Sequence, residues 1–290
     1  VTAPTRFSLQ YSEYWRHNTG LTFGIKALLH SERSPFQHVE VYETDAFGHM
    51  MTLDGVIMIT DYDEFVYHEM IAHPALCLLQ DAKRALVIGG GDGGAAREAL
   101  RHPSLTRLDL VEIDEAVVEA AKRFFPQLSA SFGDERLKLH LVDGTAFVKE
   151  APKGHYDFIL VDSTDPVGIA EGLFTREFYE ACRSLLTPRG VMVVQSESPF
   201  DPVNGHVVKD VRRLFESLFP IAETYLASTP SYPYGLWSFT LGSRSLHPLR
   251  DYDAEAAHRS PFADELRYYT PQVHTAAFAL PAFVRQLLSE

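Results

Sequence analysis

Between residues 84 and 198 the sequence alternates, without interruption, between short apolar runs and amphipathic stretches of helical period. RALVIGG, TRLDLVEID, LKLHLVD, YDFILVDS and GVMVVQSES read as strands, and GGAAREALRH, EAVVEAAKRFF, AFVKEA and TREFYEACRSLL between them read as helices. Strands separated by helices pair in parallel through right-handed crossovers, and continuous apolar strands are buried on both faces. The pattern therefore predicts an α/β fold around a mostly parallel sheet. Residues 20–60 carry a different signature. LTFGIKALLH, QHVEVYET, GHMMTL and VIMITD are short and partly alternating, and Asp54-Gly55 supplies the positive φ angles of a two-residue hairpin. The period turns helical at DEFVYHEMIAHPALCLL, with Asp63 and Glu64 at its start, where acids suit the helix dipole. This divides the chain into a small N-terminal β domain, residues 1–65, and an α/β domain, residues 66–290.

The first strand-to-helix turn, VIGGGDGGAAREAL, places Gly89, Gly91 and Gly94 in a G-x-G-x-x-G spacing. Glu112 ends the next strand, where a carboxylate accepts hydrogen bonds from both hydroxyls of a ribose. Asp92 lies inside the glycine loop. It opposes the pyrophosphate of a dinucleotide and favours a ligand with positive charge, and it can also cap the helix that follows. Asp143 ends the third strand and Asp162 the fourth, so four acids converge on the sheet edge where open α/β folds bind ligands. Asp165 adds a fifth in LVDSTDPVGIAEGLF. Carboxylates so gathered repel one another unless cations neutralise them. The expected ligand contains ribose, lacks phosphate and carries several positive charges. The one metal-like motif, HEMIAH, sets His68 and His73 five residues apart instead of the four that puts both on one helix face. No metal is expected from it.

Composition narrows the partners. With 26 basic and 39 acidic residues the formal charge is −13, which argues against nucleic acid or anionic lipid. No apolar run approaches the ~18 residues of a membrane helix. VTAPTRFSLQYSEYW has no targeting pattern, so a cytoplasmic location is the expectation. Cys77 and Cys182 are too few for a disulfide framework and read as buried thiols.

Taken together, GGGDGG, VEID, VDG, DSTDPVG and DEFVYHEM resemble the spermidine synthases, the polyamine aminopropyltransferases. LDGVIMITDYDEF and YYTPQVHTAAFALPAF extend the resemblance over nearly the whole chain. It implies a Rossmann-like, methyltransferase-type domain behind the β domain, assembled as a homodimer or homotetramer. The implied reaction moves an aminopropyl group from decarboxylated S-adenosylmethionine to putrescine, giving spermidine and 5′-methylthioadenosine with no cofactor. By motif, Gln37, Glu112, Asp143, Gly144 and Ile169 fall on nucleoside-binding positions, and His68, Asp92, Asp162 and Asp165 on polyamine-binding ones. Ile169 replaces a proline common in relatives, which leaves a side-chain role there open. Asp162 matches the proton acceptor. On this reading the paired aspartates divide the work, Asp162 handling a proton and Asp165 a charge. Tyr67 and Tyr232, with Trp15 and Trp237, are candidate walls for a methylene chain with cationic ends, and Gln195 ends the next strand. Three alternatives stay open. The same chemistry could use cadaverine, agmatine or spermidine; the fold could serve a class I methyltransferase or a non-catalytic nucleoside- or polyamine-binding protein; or it could serve a nicotinamide dehydrogenase.

Overall fold

The structure, a computed structural model, describes residues 9–15, 19–164 and 168–290, with 168 and 169 through their backbone alone. Strands β1 (Leu9–Tyr14), β2 (Gly20–Arg33), β3 (His38–Thr44), β4 (His49–Leu53) and β5 (Val56–Thr60) form an antiparallel sheet in that order. Asp54 and Gly55 take φ values of 50° and 84°, and so make the primed turn that the Asp-Gly pair predicts. β1 was not foreseen. Its sequence LQYSEY is mostly polar, as suits an edge strand, and it is held by Tyr11 and by Glu13, which accepts the Ile57 N–H at 2.8 Å.

Helix α1 (Glu64–Leu79) follows and is buried along almost its full length. Its apolar residues sit inside the core, where Met70, Ile71 and Leu76 each contribute about 1.5–3 kcal/mol by burial, and its buried Glu64, His68, Glu69 and His73 are carried with them. Then come β6 (Arg84–Gly89), α2 (Gly94–Leu100), β7 (Arg107–Glu112), α3 (Glu115–Phe124), α4 (Pro126–Ser129), β8 (Leu137–Leu141), α5 (Gly144–Glu150), β9 (Tyr156–Asp162), α6 (Arg176–Leu185) and β10 (Leu186–Gln195). Beyond the alternation read from sequence lie α7 (Gly205–Leu218), the hairpin β11 (Ile221–Ser228) and β12 (Leu236–Ser243), and the short helices α8 (Ala254–His258), α9 (Pro271–Ala277) and α10 (Ala282–Ser289). The strands join in the order β11-β12-β10-β9-β6-β7-β8. All pairs from β10 to β8 are parallel, and β12 runs antiparallel to both its neighbours.

Alternate residues of the central strands feed two cores. Val87, Leu110, Leu160 and Val193 pack against α1 and α2, while Ile88, Val161 and Val194 pack against Val148, Phe178 and Phe215 of α5, α6 and α7. A third cluster sets Val39, Val41, Met51 and Ile59 of the N-terminal sheet on Val117 and Ala120 of α3 and on Phe125 just beyond it. The strand order reverses between β6 and β9, where Gly89 pairs with Asp162. The crevice beyond those carboxyl ends is the expected ligand site of this topology. Among the described residues no helix is long and apolar enough to cross a membrane.

Candidate active site

A cleft opens at that reversal point, floored by the carboxyl ends of β6, β7 and β9 and roofed by the β4–β5 hairpin of the N-terminal sheet. Its lining includes Gln37, Tyr67, His68, Gly89, Gly91, Asp92, Glu112, Asp143, Gly144, Asp162, Gln195, Tyr232 and Trp237. One cavity thus gathers the acids of four strands, as the sequence pattern predicts. Asp165 lies outside the described residues, and so does the side chain of Ile169. Trp15 does not line the cleft and packs instead on Tyr234, ring centroids 4.8 Å apart.

At the end of the cleft beyond β7 and β8 each acid keeps one oxygen for the protein. Glu112 is buried, and its Oε1 accepts the N–H groups of Ile113 at 2.7 Å and Asp114 at 2.9 Å. Its other oxygen lies where a side chain at Gly91 would have to stand, 2.8 Å from a Cβ built there. The close approach explains that glycine. Burial pushes the Glu112 carboxyl up to about 7, against the two backbone bonds that favour its charge, with Asp114 and Asp92 adding to the rise. Asp143 caps α5 through Oδ1, accepting the Thr145 N–H at 2.6 Å and its hydroxyl at 2.7 Å. These bonds hold it below the usual carboxylate range despite partial burial. Gln37, from the N-terminal sheet, donates to Asp114 Oδ2 at 2.9 Å and so is fixed to the start of α3.

The other end is built around Asp162. Its Oδ1 accepts the Tyr67 hydroxyl at 2.6 Å, while Oδ2, also buried, has no hydrogen-bond partner among the described residues. A buried carboxylate oxygen left bare is costly unless something else comes to fill it. Burial, and then the charge of Asp92, push the Asp162 carboxyl up to about 6, with His68 and the Tyr67 hydroxyl acting the other way. Tyr67 is itself raised well above the phenol range, by burial and then by Asp162, so it remains a donor.

Asp92 meets the backbone at the head of α2 and a cation of the protein itself. Its Oδ1 accepts the Gly94 N–H at 2.6 Å and faces His68 Nε2 at 3.3 Å, and neither contact uses Oδ2. His68 is 1 % exposed, with Nδ1 at 2.7 Å from Glu64 Oε2. Burial opposes its charge, yet Asp92 and then Glu64 raise the imidazole to about 10. The ring also lies against Gly94, where any Cβ would fall 2.2 Å from it; the third glycine of the loop makes room for an imidazole.

This corrects the expectation that the acids wait for a ligand to neutralise them. The protein supplies cations of its own, His68 and, behind Glu64, Arg97. Asp63 and Glu64 do stand at the head of α1, as the sequence predicts, and both also bond across elements. Asp63 accepts from Thr60 and Ser231, and Glu64 from His68 and Arg97. Tyr67 is more than a wall, because it holds Asp162. Its ring lies 5.5 Å from that of Tyr232, whose hydroxyl donates to the Met58 carbonyl and whose ring meets Trp237 at 4.9 Å. Gln195 braces the turn after β9 by donating to the Ser163 carbonyl at 3.2 Å, and it also bonds to Glu197. Glu197, buried and in a left-handed conformation at φ 68°, went unread in the sequence. So did Arg97, which reaches Glu64 from another helix.

His68 and His73 go separate ways, as their spacing predicts. His73 bonds to Glu98 and His102 at 3.0 Å each. Donor atoms of His68, Asp92 and Asp162 come within 4.8 Å of one another, and so do those of His73, Cys77 and His102. In both groups the His68 and His73 ring nitrogens are already engaged by protein partners.

Comparison with known proteins gives one answer throughout. A family model described as the spermine/spermidine synthase domain matches residues 64–252, and one described as the spermidine synthase tetramerisation domain matches residues 10–61. The chain is 41% identical over 282 residues to a polyamine aminopropyltransferase of Thermoanaerobacter sp. (strain X514), covering 97% of this chain and 99% of that one. It is 42% identical over 282 residues to the polyamine aminopropyltransferase of Bacillus subtilis (strain 168), with the same coverage. Among solved structures it resembles a spermidine synthase in complex with the transition state analogue AdoDATO, at a TM-score of 0.94 and 38% identity, over 99% of this chain and 97% of that one. It also resembles the spermidine synthase from Thermotoga maritima, at a TM-score of 0.92 and 38% identity over 99% and 96% of the two chains.

Proposed function

Because this chain belongs to the spermidine synthase family of polyamine aminopropyltransferases, we propose that it transfers the aminopropyl group of decarboxylated S-adenosylmethionine to putrescine. The single observation that carries the choice of base is the bare, buried Oδ2 of Asp162 beside a tyrosine-held Oδ1. An alkyl amine resembles lysine, with an unperturbed pKa of ~10.4, so at neutral pH it must shed a proton before its lone pair can attack. Asp162 accepts that proton. The amine nitrogen bonds to the carbon next to sulfur, the carbon–sulfur bond breaks, and sulfur leaves as the neutral thioether of methylthioadenosine. A neutral leaving group needs no acid.

The remaining residues bind and align. Glu112 Oε2 takes the ribose, Asp143 and the Gly144 N–H read the adenine edge, and Gln37 closes over the nucleoside from the N-terminal sheet. Ile169 contributes backbone to that wall. Asp92 Oδ2 and Asp165 hold cationic tails, and Tyr67, Tyr232 and Trp237 flank the methylenes, so nucleophile, carbon and sulfur come into line. His68 lies beside the acceptor path. Residues 1–65 form the β domain that joins copies into a tetramer, in a cytoplasmic enzyme. A methyltransferase donor fits less well, because its carboxylate would meet Asp92 and Asp162.

The test is product identification. Decarboxylated S-adenosylmethionine and putrescine should give spermidine and methylthioadenosine in equal amounts. Methylthioadenosine with a different amine product would move the acceptor assignment, and no thioether release would end the reading.

A further inference from the structure

Behind His68 the buried charges alternate in sign. Asp92 Oδ1 faces His68 Nε2 at 3.3 Å, His68 Nδ1 meets Glu64 Oε2 at 2.7 Å, and Glu64 takes both terminal nitrogens of Arg97, at 3.2 and 2.9 Å. Arg97 Nε then bonds Glu98 Oε1 at 2.6 Å. Glu64 is 5 % exposed and Glu98 1 %, so little water screens the row. The groups facing His68 are Glu64 and the edge-on Tyr67 ring of its own helix, Asp92 of the glycine loop, Asp162 at the end of β9, and Arg97 of α2 behind Glu64.

A buried imidazole beside a lone carboxylate has a cheap alternative. The proton can pass to the carboxylate and leave two neutral groups, which a poorly solvated site favours. Here that route is closed, because Glu64 carries a bidentate guanidinium on its other side. Protonating Glu64 would strip Arg97 of a buried partner. Arg97 thus stabilises the charge on Glu64, and Glu64 the proton on His68. That imidazolium lies within 4.8 Å of the acidic oxygens of both Asp92 and Asp162.

We propose that Arg97 and Glu64 are positioning residues for the transfer, keeping the proton on His68 so that a fixed positive charge faces Asp92 and Asp162. The inference rests on the proposed reading for its catalytic consequence, though not for the location of the proton. The fixed charge lets Asp162 stay ionised and ready to accept a proton in a crevice otherwise crowded with carboxylates. It also moderates how tightly Asp92 grips a cationic tail, so that product can leave. Neither residue lines the cleft.

The test compares the parent with Arg97→Met, Arg97→Lys and Glu64→Gln, all as full-length protein. The ring nitrogens of His68 report its protonation by NMR of histidine-labelled protein, assigned with His68→Asn. In the parent and Arg97→Lys, His68 should remain imidazolium at pH 8. In Arg97→Met and Glu64→Gln its titration should fall below about 6, so that burial leaves the ring neutral through the acid limb of the reaction. The acid limb of kcat/KM for the amine should rise by roughly half a unit or more in the same two variants. The affinity for methylthioadenosine, which carries no cationic tail, should stay within about twofold of the parent. Arg97→Met with parental His68 titration and a parental acid limb would overturn the proposal. If Arg97→Met does not fold, Glu64→Gln decides by the same criteria. A parent that gives no aminopropyl product defeats the functional reading alone, since the NMR signal of His68 still decides where the proton resides.

Discussion

Asp162 is held by a phenol on one oxygen and has no hydrogen-bond partner for the other among the described residues, while Asp92 and Glu112 each commit one oxygen to backbone N–H groups. On the proposed mechanism Asp162→Asn keeps its shape and its tyrosine but loses proton acceptance, so turnover should fall by ~10²–10⁴-fold while methylthioadenosine still binds. Steady-state rates and calorimetry check both halves, and turnover within a few-fold of the parent would remove Asp162 from the chemistry. Asp92→Asn can still cap α2 through its amide oxygen but lacks the charge. It should weaken the decarboxylated donor, with its ammonium tail, much more than methylthioadenosine. Equal loss for both ligands would make Asp92 a cap and no more. Glu112 gives a pH signature. Its carboxyl, raised to about 7, is largely protonated in the free enzyme at pH 6, and ribose hydroxyls donate to the ionised form. Nucleoside binding should therefore tighten as pH rises from 6 to 8 and release protons near pH 7. Calorimetry in buffers of different ionisation heat checks this, and buffer-independent heats would contradict it. The sign for stability is opposite. A carboxyl raised from 4.5 to about 7 by folding stabilises the unliganded fold fully below 4.5 and loses that contribution as pH climbs through 7. These acids were legible because each ends a strand. Their cations were not, because Arg97 reaches Glu64 from another helix and no spacing along the chain records that meeting.

At the scale of elements, α1 and the β11–β12 turn depend on each other. Asp63, at the head of α1, accepts the Thr60 hydroxyl at 2.6 Å, the Ser231 N–H at 2.7 Å and the Ser231 hydroxyl at 2.9 Å. It thereby fastens to the sheet edge the turn that carries Tyr232, Pro233 and Tyr234. Asp63→Ala leaves buried donors unpaired, at about 1–3 kcal/mol each, and should lower the melting temperature by several degrees. The amine KM should rise as Tyr232 loosens, with methylthioadenosine affinity nearly unchanged. An unaltered melting temperature would show that the turn is held elsewhere. The central strands β6, β9 and β10 were readable because burial on two faces writes an apolar run, and β7 and β8 because apolar residues recur along them between helices of clear period. β11 and β12 were not, since IAETYLAS and LWSFTLGS mix polar and apolar residues as they pair at the sheet margin. The polar edge strand β1 escaped for the same reason.

On the proposed reading the whole molecule joins a nucleoside-binding half, closed by the N-terminal sheet through Gln37, to a cation-binding half enclosed by α1, β9 and the β11–β12 turn. Its net charge of −13 suits small cationic substrates approaching a cleft lined with acids. The sequence motifs named many of the residues that line the cleft, but the pairing of its acids with His68 and Arg97 emerged only from side chains meeting across elements. Large apolar side chains stand exposed on the N-terminal sheet, Leu9 and Tyr14 on β1 and Leu28 on β2, consistent with a sheet that seats other copies. The acceptor remains the point on which the proposed function turns. Asp162 must meet the attacking amine while the distal ammonium reaches polar partners of its own, so two anchors set a length. One extra methylene discriminates by only ~1–3 kcal/mol, which makes cadaverine poor but not inert. A monoamine leaves desolvated polar groups unpaired and should be worse. The decisive measurement is kcat/KM for putrescine, cadaverine and butylamine with the decarboxylated donor at one pH. The expected order is putrescine, then cadaverine roughly 10- to 200-fold lower, then butylamine. Equal values for putrescine and butylamine, or a clear preference for cadaverine, would contradict it.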